Sequence, residues 1–162
     1  MVVSELSEDY AFFIKHGTIT LLEAIAGFLL GFLIAFSAAT LMVHWRLVEK
    51  VLYPLAVLVK VTPIVSVAPL FVIWFGFGSG PKVLIAAIIT FFPILINSIA
   101  GLRSVNPGAL DFLRSVDATQ KEIFIKLRLP SSLPYLFAGF RITIPLSIIG
   151  AVVGEWFTGD SG

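Results

Sequence analysis

The chain has 162 residues, of which 58% are hydrophobic and 13% charged, with 15 Phe, no Cys and a formal net charge of +1. A soluble domain needs far more polar surface, so this composition indicates an integral membrane protein. The lack of cysteine excludes disulfides, thiol catalysis and thiolate metal sites, and the near-neutral charge gives no reason to expect a nucleic-acid partner.

Four apolar segments each approach the roughly 20 residues needed to cross about 30 Å of hydrocarbon. They cover about Gly17–Val43, Val51–Phe75, Val83–Ala100 and Leu133–Phe157. We therefore predict an all-α, polytopic membrane fold with about four transmembrane helices. A polar lead-in over residues 1–16 precedes one transmembrane domain over residues 17–162.

Small residues recur every four positions in the first and last segments, at Gly27 and Gly31 and again at Gly150 and Gly154. Such spacing gives a helix a face that a second helix can approach closely. Packing within one subunit is the favoured interpretation, and a seam between two subunits is the alternative.

Prolines at positions 54, 63 and 69 interrupt the second segment, so we predict a kinked or two-piece helix there. Discontinuous helices often border the pathway of a transporter, which makes Pro63 a candidate pathway residue. A purely architectural kink explains the same pattern equally well.

Two acidic residues fall inside apolar segments. A charge facing lipid costs on the order of 3 kcal/mol, so each is a functional candidate. Because both lie near segment ends, they could instead reach the membrane interface. We favour the interface for Glu23 and leave Glu155 open between the interface and a pathway-lining role. If both faced the pathway, anionic substrates would be disfavoured.

A polar loop, residues 104–132, separates the third and fourth segments and carries many of the charges. It cannot lie in hydrocarbon, and the positive-inside rule places it in the cytoplasm. Asn106 followed by Pro107 predicts a helix over Pro107–Val116. Thr119 and Glu122 have the spacing of a capping box, which predicts the start of a second helix.

Between these helices, Asp117-Ala118 is the expected elbow. The prolines at positions 130 and 134 predict a break where the chain returns to the membrane. The polar loop is therefore expected to form a helix, an elbow and a second short helix that together project into water.

The polar loop resembles the EAA loop of permease subunits in bacterial ABC importers, which have the type I importer fold. The family pattern is Glu-Ala-Ala, three residues, Gly, nine residues and Ile-x-Leu-Pro. Here Asp111-Phe112-Leu113 stands at Glu-Ala-Ala, Asp117 at the glycine and Leu127-Arg128-Leu129-Pro130 at the end. The spacing is intact, although several residues differ.

Further matches include Ala68-Pro69-Leu70, Trp74-Phe75-Gly76, Phe92-Pro93-Ile94 and Pro134-Tyr135-Leu136-Phe137-Ala138-Gly139. The resemblance covers about Gly17 to Gly162 and is strongest to the branch that imports nitrate, sulfonates, taurine, bicarbonate, thiamine-pyrimidine precursors or riboflavin. Family members usually carry a further helix at each end, so the resemblance implies a truncated permease core.

The resemblance implies a non-enzymatic permease in the bacterial cytoplasmic (inner) membrane, without cofactor or metal. Its expected partners are a cytoplasmic ABC ATPase subunit, a second permease subunit in a homodimer, an extracytoplasmic solute-binding protein and the lipid bilayer. The residues expected to couple to the ATPase are Ala109, Asp111, Leu113, Arg114, Val116, Asp117, Ala118, Thr119 and Lys121. Residues expected to shape the polar loop are Asn106, Pro107, Glu122, Leu127, Leu129 and Pro130.

Asp117 is the main departure from the family pattern. Asp tolerates the left-handed backbone that glycine usually supplies, at some cost, and adds a negative charge. We therefore expect coupling to the ATPase to be weaker than, or different from, that of a loop with glycine at this position. Two other function classes remain: a polytopic scaffold or assembly protein without transport, and a membrane enzyme, which lacks support because no catalytic cluster is visible.

Overall fold

The computed structural model describes residues 10–159, and within that range every regular element is helical. The helices are α1 (Tyr10–His44), α2 (Arg46–Val61), α3 (Ile64–Phe75), α4 (Ser79–Arg103), α5 (Pro107–Ser115), α6 (Gln120–Ile123) and α7 (Leu129–Thr158). A wider π-helical turn, Phe124–Arg128, joins α6 to α7 without a break. Most of the predicted polar lead-in and the last three residues lie outside this range.

Within residues 10–159, three helical stretches are long and apolar enough to cross a membrane: α1, α4 and the continuous run Gln120–Thr158. A fourth span results if α2 and α3 count as one broken helix. The prediction of a two-piece second segment is therefore confirmed. The break falls at Thr62-Pro63 alone, because Pro54 and Pro69 are accommodated inside α2 and α3.

Large apolar side chains are exposed along these helices, including Leu22, Leu33, Ile73 and Ile149, which are 61%, 61%, 75% and 54% exposed. Contiguous exposed apolar surface of this kind is unfavourable in water. It suits helices whose outer faces contact lipid, in agreement with the composition.

The first of two compact units comprises residues 10–31, 62–90 and 144–159. Ala86 of α4 packs against glycines of two helices: a Cβ at Gly27 would lie 2.5 Å from the Ala86 Cβ, and a Cβ at Gly150 only 2.6 Å from the Ala86 Cα. Gly31 and Gly154 meet α4 in the same way, at Ala87 and Lys82. The small faces therefore pack within the chain, as favoured from the sequence.

The second unit comprises residues 32–61 and 91–143. Ile94, Leu95 and Leu102 of α4 are almost fully buried in it. Gly101 allows close contact with α7, because an added Cβ would lie 3.0 Å from the Ser132 Cα. The end of α4 is thus held firmly where the polar loop begins.

Substituting Gly150 by Ala should lower the free energy of unfolding by about 1–3 kcal/mol, because the new methyl group meets backbone atoms of α4. Gly17→Ala is the matched control, since no described atom outside its chain neighbours and its own helix backbone lies within 4 Å of the added Cβ. That control should be neutral or stabilising by up to about 1 kcal/mol. Thermal unfolding in detergent compares the two, and equal midpoints would contradict the packing described above.

Candidate functional site

The first helix of the polar loop is capped as its sequence predicts. The Asn106 Oδ1 accepts hydrogen bonds from the Gly108 amide at 2.8 Å and the Ala109 amide at 3.4 Å. Pro107 occupies the first turn, where its missing amide costs nothing. α5 therefore begins as the sequence predicts and ends at Ser115.

The elbow after α5 is a Schellman motif built around Asp117. The Ala118 amide donates to the Leu113 carbonyl at 3.0 Å, and the Asp117 amide donates to the Arg114 carbonyl at 3.1 Å. Asp117 has φ of 54° and is the one non-glycine residue with positive φ in the described range. The predicted elbow is confirmed, with Asp in the left-handed position that glycine usually fills.

The second helix begins with the predicted capping box. The Glu122 amide donates to the Thr119 Oγ1 at 3.3 Å, and the Thr119 amide donates to the Glu122 Oε2 at 3.0 Å. This amide bond, together with bonds from Lys126 Nζ and the Thr119 hydroxyl, lowers the pKa of Glu122 to about 2. The cap is therefore at full strength above the ordinary carboxyl pKa of 4.5 and weakens as the pH falls toward 2.

The return toward the membrane differs from the prediction. No break occurs at Pro130 or Pro134, because the helix runs without interruption from Gln120 to Thr158. In the π-helical turn the Leu129 amide donates to the Phe124 carbonyl, five residues earlier. This wider turn makes room for the Pro130 ring, which lacks an amide and would crowd the carbonyl of an ordinary helix. Leu127 and Leu129 are half-buried in this stretch.

The base of the polar loop is fixed by hydrogen bonds to the end of α4. Arg128 Nη1 donates to the Leu102 carbonyl at 3.0 Å. The Ser104 hydroxyl lies 2.8 Å from the Gly101 carbonyl and 3.3 Å from the Ser131 carbonyl. Ile123, only 2% exposed, anchors the second helix. These contacts therefore fix the polar loop at the end of α4 and the start of α7.

Two large apolar side chains are exposed on α5 and on the residue that follows it. Phe112 and Val116, one helical turn apart, are 65% and 58% exposed. Arg114 is also exposed and lies 3.6 Å from the Asp111 carboxylate. Leu113, expected to fill apolar space in a partner, is instead half-buried. Phe112 is not among the contact residues expected from the sequence, although it lies four residues before Val116.

The remaining predicted contact residues are distributed unevenly. Ala109 and Ala118 are half-buried, whereas Asp117, Thr119 and Lys121 are exposed. The polar loop thus presents an apolar patch, Phe112 and Val116, bordered by charged groups. Such a surface is suited to docking another protein.

A second polar cluster lies in the first unit. Lys82 Nζ is 3.4 Å from Glu23 Oε1, and the side chains are only 3% and 4% exposed. Among the described residues, none donates a hydrogen bond to either Glu23 oxygen. Glu23 is therefore buried against Lys82 within the chain and does not extend into solvent. α4 starts four residues before the apolar segment at Val83, which places Lys82 in the helix.

Glu155 accepts a hydrogen bond of 2.5 Å from the Thr20 hydroxyl and is half-buried. Pro63 is exposed at the break between α2 and α3. Among residues 10–159, no group of three metal-ligating side chains comes together.

Comparison with known proteins identifies the class. Residues 27–162 match the family model of the binding-protein-dependent transport system inner membrane component. The chain belongs to this family of multi-pass inner-membrane permeases, which are transport components of ABC importers and not enzymes.

Three curated relatives illustrate the similarity. The chain is 37% identical to the formylaminopyrimidine transport permease protein ThiX of Halalkalibacterium halodurans over 158 residues, 98% of this chain and 62% of the relative. It is 38% identical to the riboflavin transport system permease protein RibX of Chloroflexus aurantiacus, with coverages of 91% and 55%. It is 31% identical to the putative aliphatic sulfonates transport permease protein SsuC of Bacillus subtilis, with coverages of 91% and 53%. The chain thus spans little more than half the length of these relatives.

Removing the cation of the buried pair should destabilise the chain far more than removing one partner of an exposed ion pair. Lys82→Met leaves the Glu23 carboxylate buried without its cation and should destabilise the chain by about 3–5 kcal/mol. Glu49→Gln removes the shorter but more exposed pair with Arg103, at 2.7 Å, and should cost less than about 1 kcal/mol.

The double variant Glu23→Gln/Lys82→Met should recover most of the loss, because no charge then remains buried. Thermal unfolding in detergent at neutral pH measures all three variants. Equal losses for Lys82→Met and Glu49→Gln would show that the buried pair has no special role.

Proposed function

We propose that this chain is a permease subunit of an ATP-driven importer and that the polar loop couples it to a cytoplasmic ATPase. The observation that carries the proposal is the exposed patch of Phe112 and Val116 on a projection with internally capped helices. Because the caps and the Arg128 bond fix the projection before it meets a partner, it can transmit a rigid displacement.

The coupling contact is proposed to consist of α5 and the elbow. Phe112 and Val116 would fill apolar space in the ATPase, and Arg114 would supply the charged contact. The other exposed residues, Asp111, Asp117, Thr119 and Lys121, would lie at the rim. Ala109, Leu113 and Ala118 are half-buried and would contribute less to the contact.

We further propose the remaining partners by analogy with the family: a second permease subunit, an extracytoplasmic solute-binding protein and a cytoplasmic ATPase. Relatives at 37% and 38% identity are named for formylaminopyrimidine and riboflavin transport. This supports a small nitrogen heterocycle as the substrate. A pathway lined by Pro63 and Glu155 would fit such a substrate. Among the described residues Glu155 has no cation partner, so its negative charge would disfavour anionic substrates. The charge of Glu23, in contrast, is paired with Lys82.

A polytopic scaffold or assembly protein without transport activity is the second candidate function. Co-purification separates the two functions. An ATPase subunit that remains bound in mild detergent, and is lost on Phe112→Glu, supports coupling. Retention of the chain in the membrane without any ATPase contact supports the scaffold.

Asp117→Gly should strengthen coupling in a reconstituted importer. Glycine adopts the left-handed conformation without the roughly 1 kcal/mol cost of a side chain. That difference corresponds to about a fivefold increase in the equilibrium constant for forming the elbow. Substrate-stimulated ATP hydrolysis is the measurement.

Asp117→Asn is the matched control, because it removes the charge but keeps a side chain that tolerates positive φ. A conformational effect predicts a gain for Gly and little change for Asn. An equal gain for both would assign the effect to charge, and no gain for either contradicts the proposed role of the elbow.

A further inference from the structure

A groove runs along the first two turns of α2, entirely within the second unit. Two adjoining cavities of about 470 and 380 Å³ share Arg46 and Glu49 in their linings. Lys50 and Tyr53 continue the same helical face, since positions 46, 49, 50 and 53 follow the i, i+3, i+4, i+7 spacing. His44 and Arg103 also line the larger cavity.

The groove carries an excess of positive charge. Its one carboxylate, Glu49, is already bound by Arg103, whose Nη2 lies 2.7 Å from the Glu49 Oε2. Within residues 10–159, Arg46 and Lys50 form no ion pair, and both are exposed. Three cations and one anion leave a formal charge of +2, so the groove is suited to an anionic group.

Beside the charged face, α2 exposes a continuous apolar stripe. Leu47, Val51, Leu55 and Leu58 are 75%, 56%, 51% and 60% exposed and recur at i, i+4, i+8 and i+11. Trp45, 58% exposed, directly precedes α2, and Tyr53, 41% exposed, lies on the charged face beyond Lys50. Aromatic side chains of this kind favour the boundary between headgroups and hydrocarbon.

We propose that this groove binds an anionic phospholipid, with the phosphate at Arg46 and Lys50 and an acyl chain along the Leu47–Leu58 stripe. A free phosphate ion would use only the charged face, whereas a phospholipid uses both. The apolar stripe, which begins within one residue of the cations, therefore selects the lipid as the occupant.

The position of the groove links the lipid to the polar loop. Arg103 is the last residue of α4, directly before the loop, and its pair with Glu49 joins that end to α2. A lipid phosphate beside Arg46 would brace the same junction from the membrane side. Lipid binding itself does not depend on the proposed ATPase contact, so the two proposals can fail separately.

The test titrates the purified chain in detergent with fluorescent phosphatidylglycerol and, separately, with fluorescent phosphatidylcholine. Phosphatidylglycerol should bind and phosphatidylcholine should bind far more weakly. Arg46→Gln/Lys50→Gln should weaken phosphatidylglycerol binding roughly thirtyfold, because each basic residue near an anionic headgroup contributes a factor of about five. Lys15→Gln/Lys121→Gln removes the same charge at exposed positions outside the groove and should change binding little.

Three further arms make the outcome decisive. Arg46→Lys/Lys50→Arg keeps the charge and should retain binding, which separates lost recognition from misfolding. Leu47→Gln/Leu58→Gln should weaken lipid binding through the acyl chain. Excess inorganic phosphate should leave the lipid bound. The proposal would be overturned if the control pair weakened binding equally or if binding were unchanged after loss of the stripe. Displacement of the lipid by inorganic phosphate or by an added ATPase subunit would also overturn it.

Discussion

The elbow at Asp117 is the constraint on which the arrangement of the polar loop depends. Two helices end and begin within five residues there, which leaves several amides and carbonyls without helical partners. The Schellman bonds satisfy the end of α5, and the capping box of Thr119 and Glu122 satisfies the start of α6. Because these bonds are local, the loop has a defined shape without support from another protein.

A loop with its own shape is useful only if it is firmly connected to the membrane helices. Arg128 provides that connection by donating to the Leu102 carbonyl, and the close contact at Gly101 holds α4 against α7. Under the proposed coupling, a displacement of the patch would be transferred through these contacts to two long helices. This mechanical continuity is what an ATP-driven conformational change requires of a membrane subunit.

Features set by neighbouring residues were predictable from the sequence. The caps at Asn106 and Thr119, the elbow and the break near Pro63 each follow from side-chain chemistry within a few positions. The small faces at Gly27, Gly31, Gly150 and Gly154 followed from periodicity. Features that depend on distant or compensating groups were missed. The Glu23–Lys82 pair joins residues 59 positions apart, and the continuity at Pro130 depends on a π-helical turn that no local rule indicates. The packed structure was needed to show which α5 side chains are exposed, because Phe112 is exposed and the adjacent Leu113 is half-buried.

Site-specific cross-linking tests the central claim most directly, because the chain has no cysteine and any introduced one is unique. A cysteine at Val116, on the exposed patch, should cross-link to the ATPase subunit of the assembled importer, with a yield that changes between nucleotide-free and ATP-bound states. A cysteine at Ile142, equally exposed but on the membrane helix α7, serves as the control and should not react with the ATPase. Assembly of the complex with no cross-link from Val116, or equal yields from both positions, would contradict a coupling role for the polar loop.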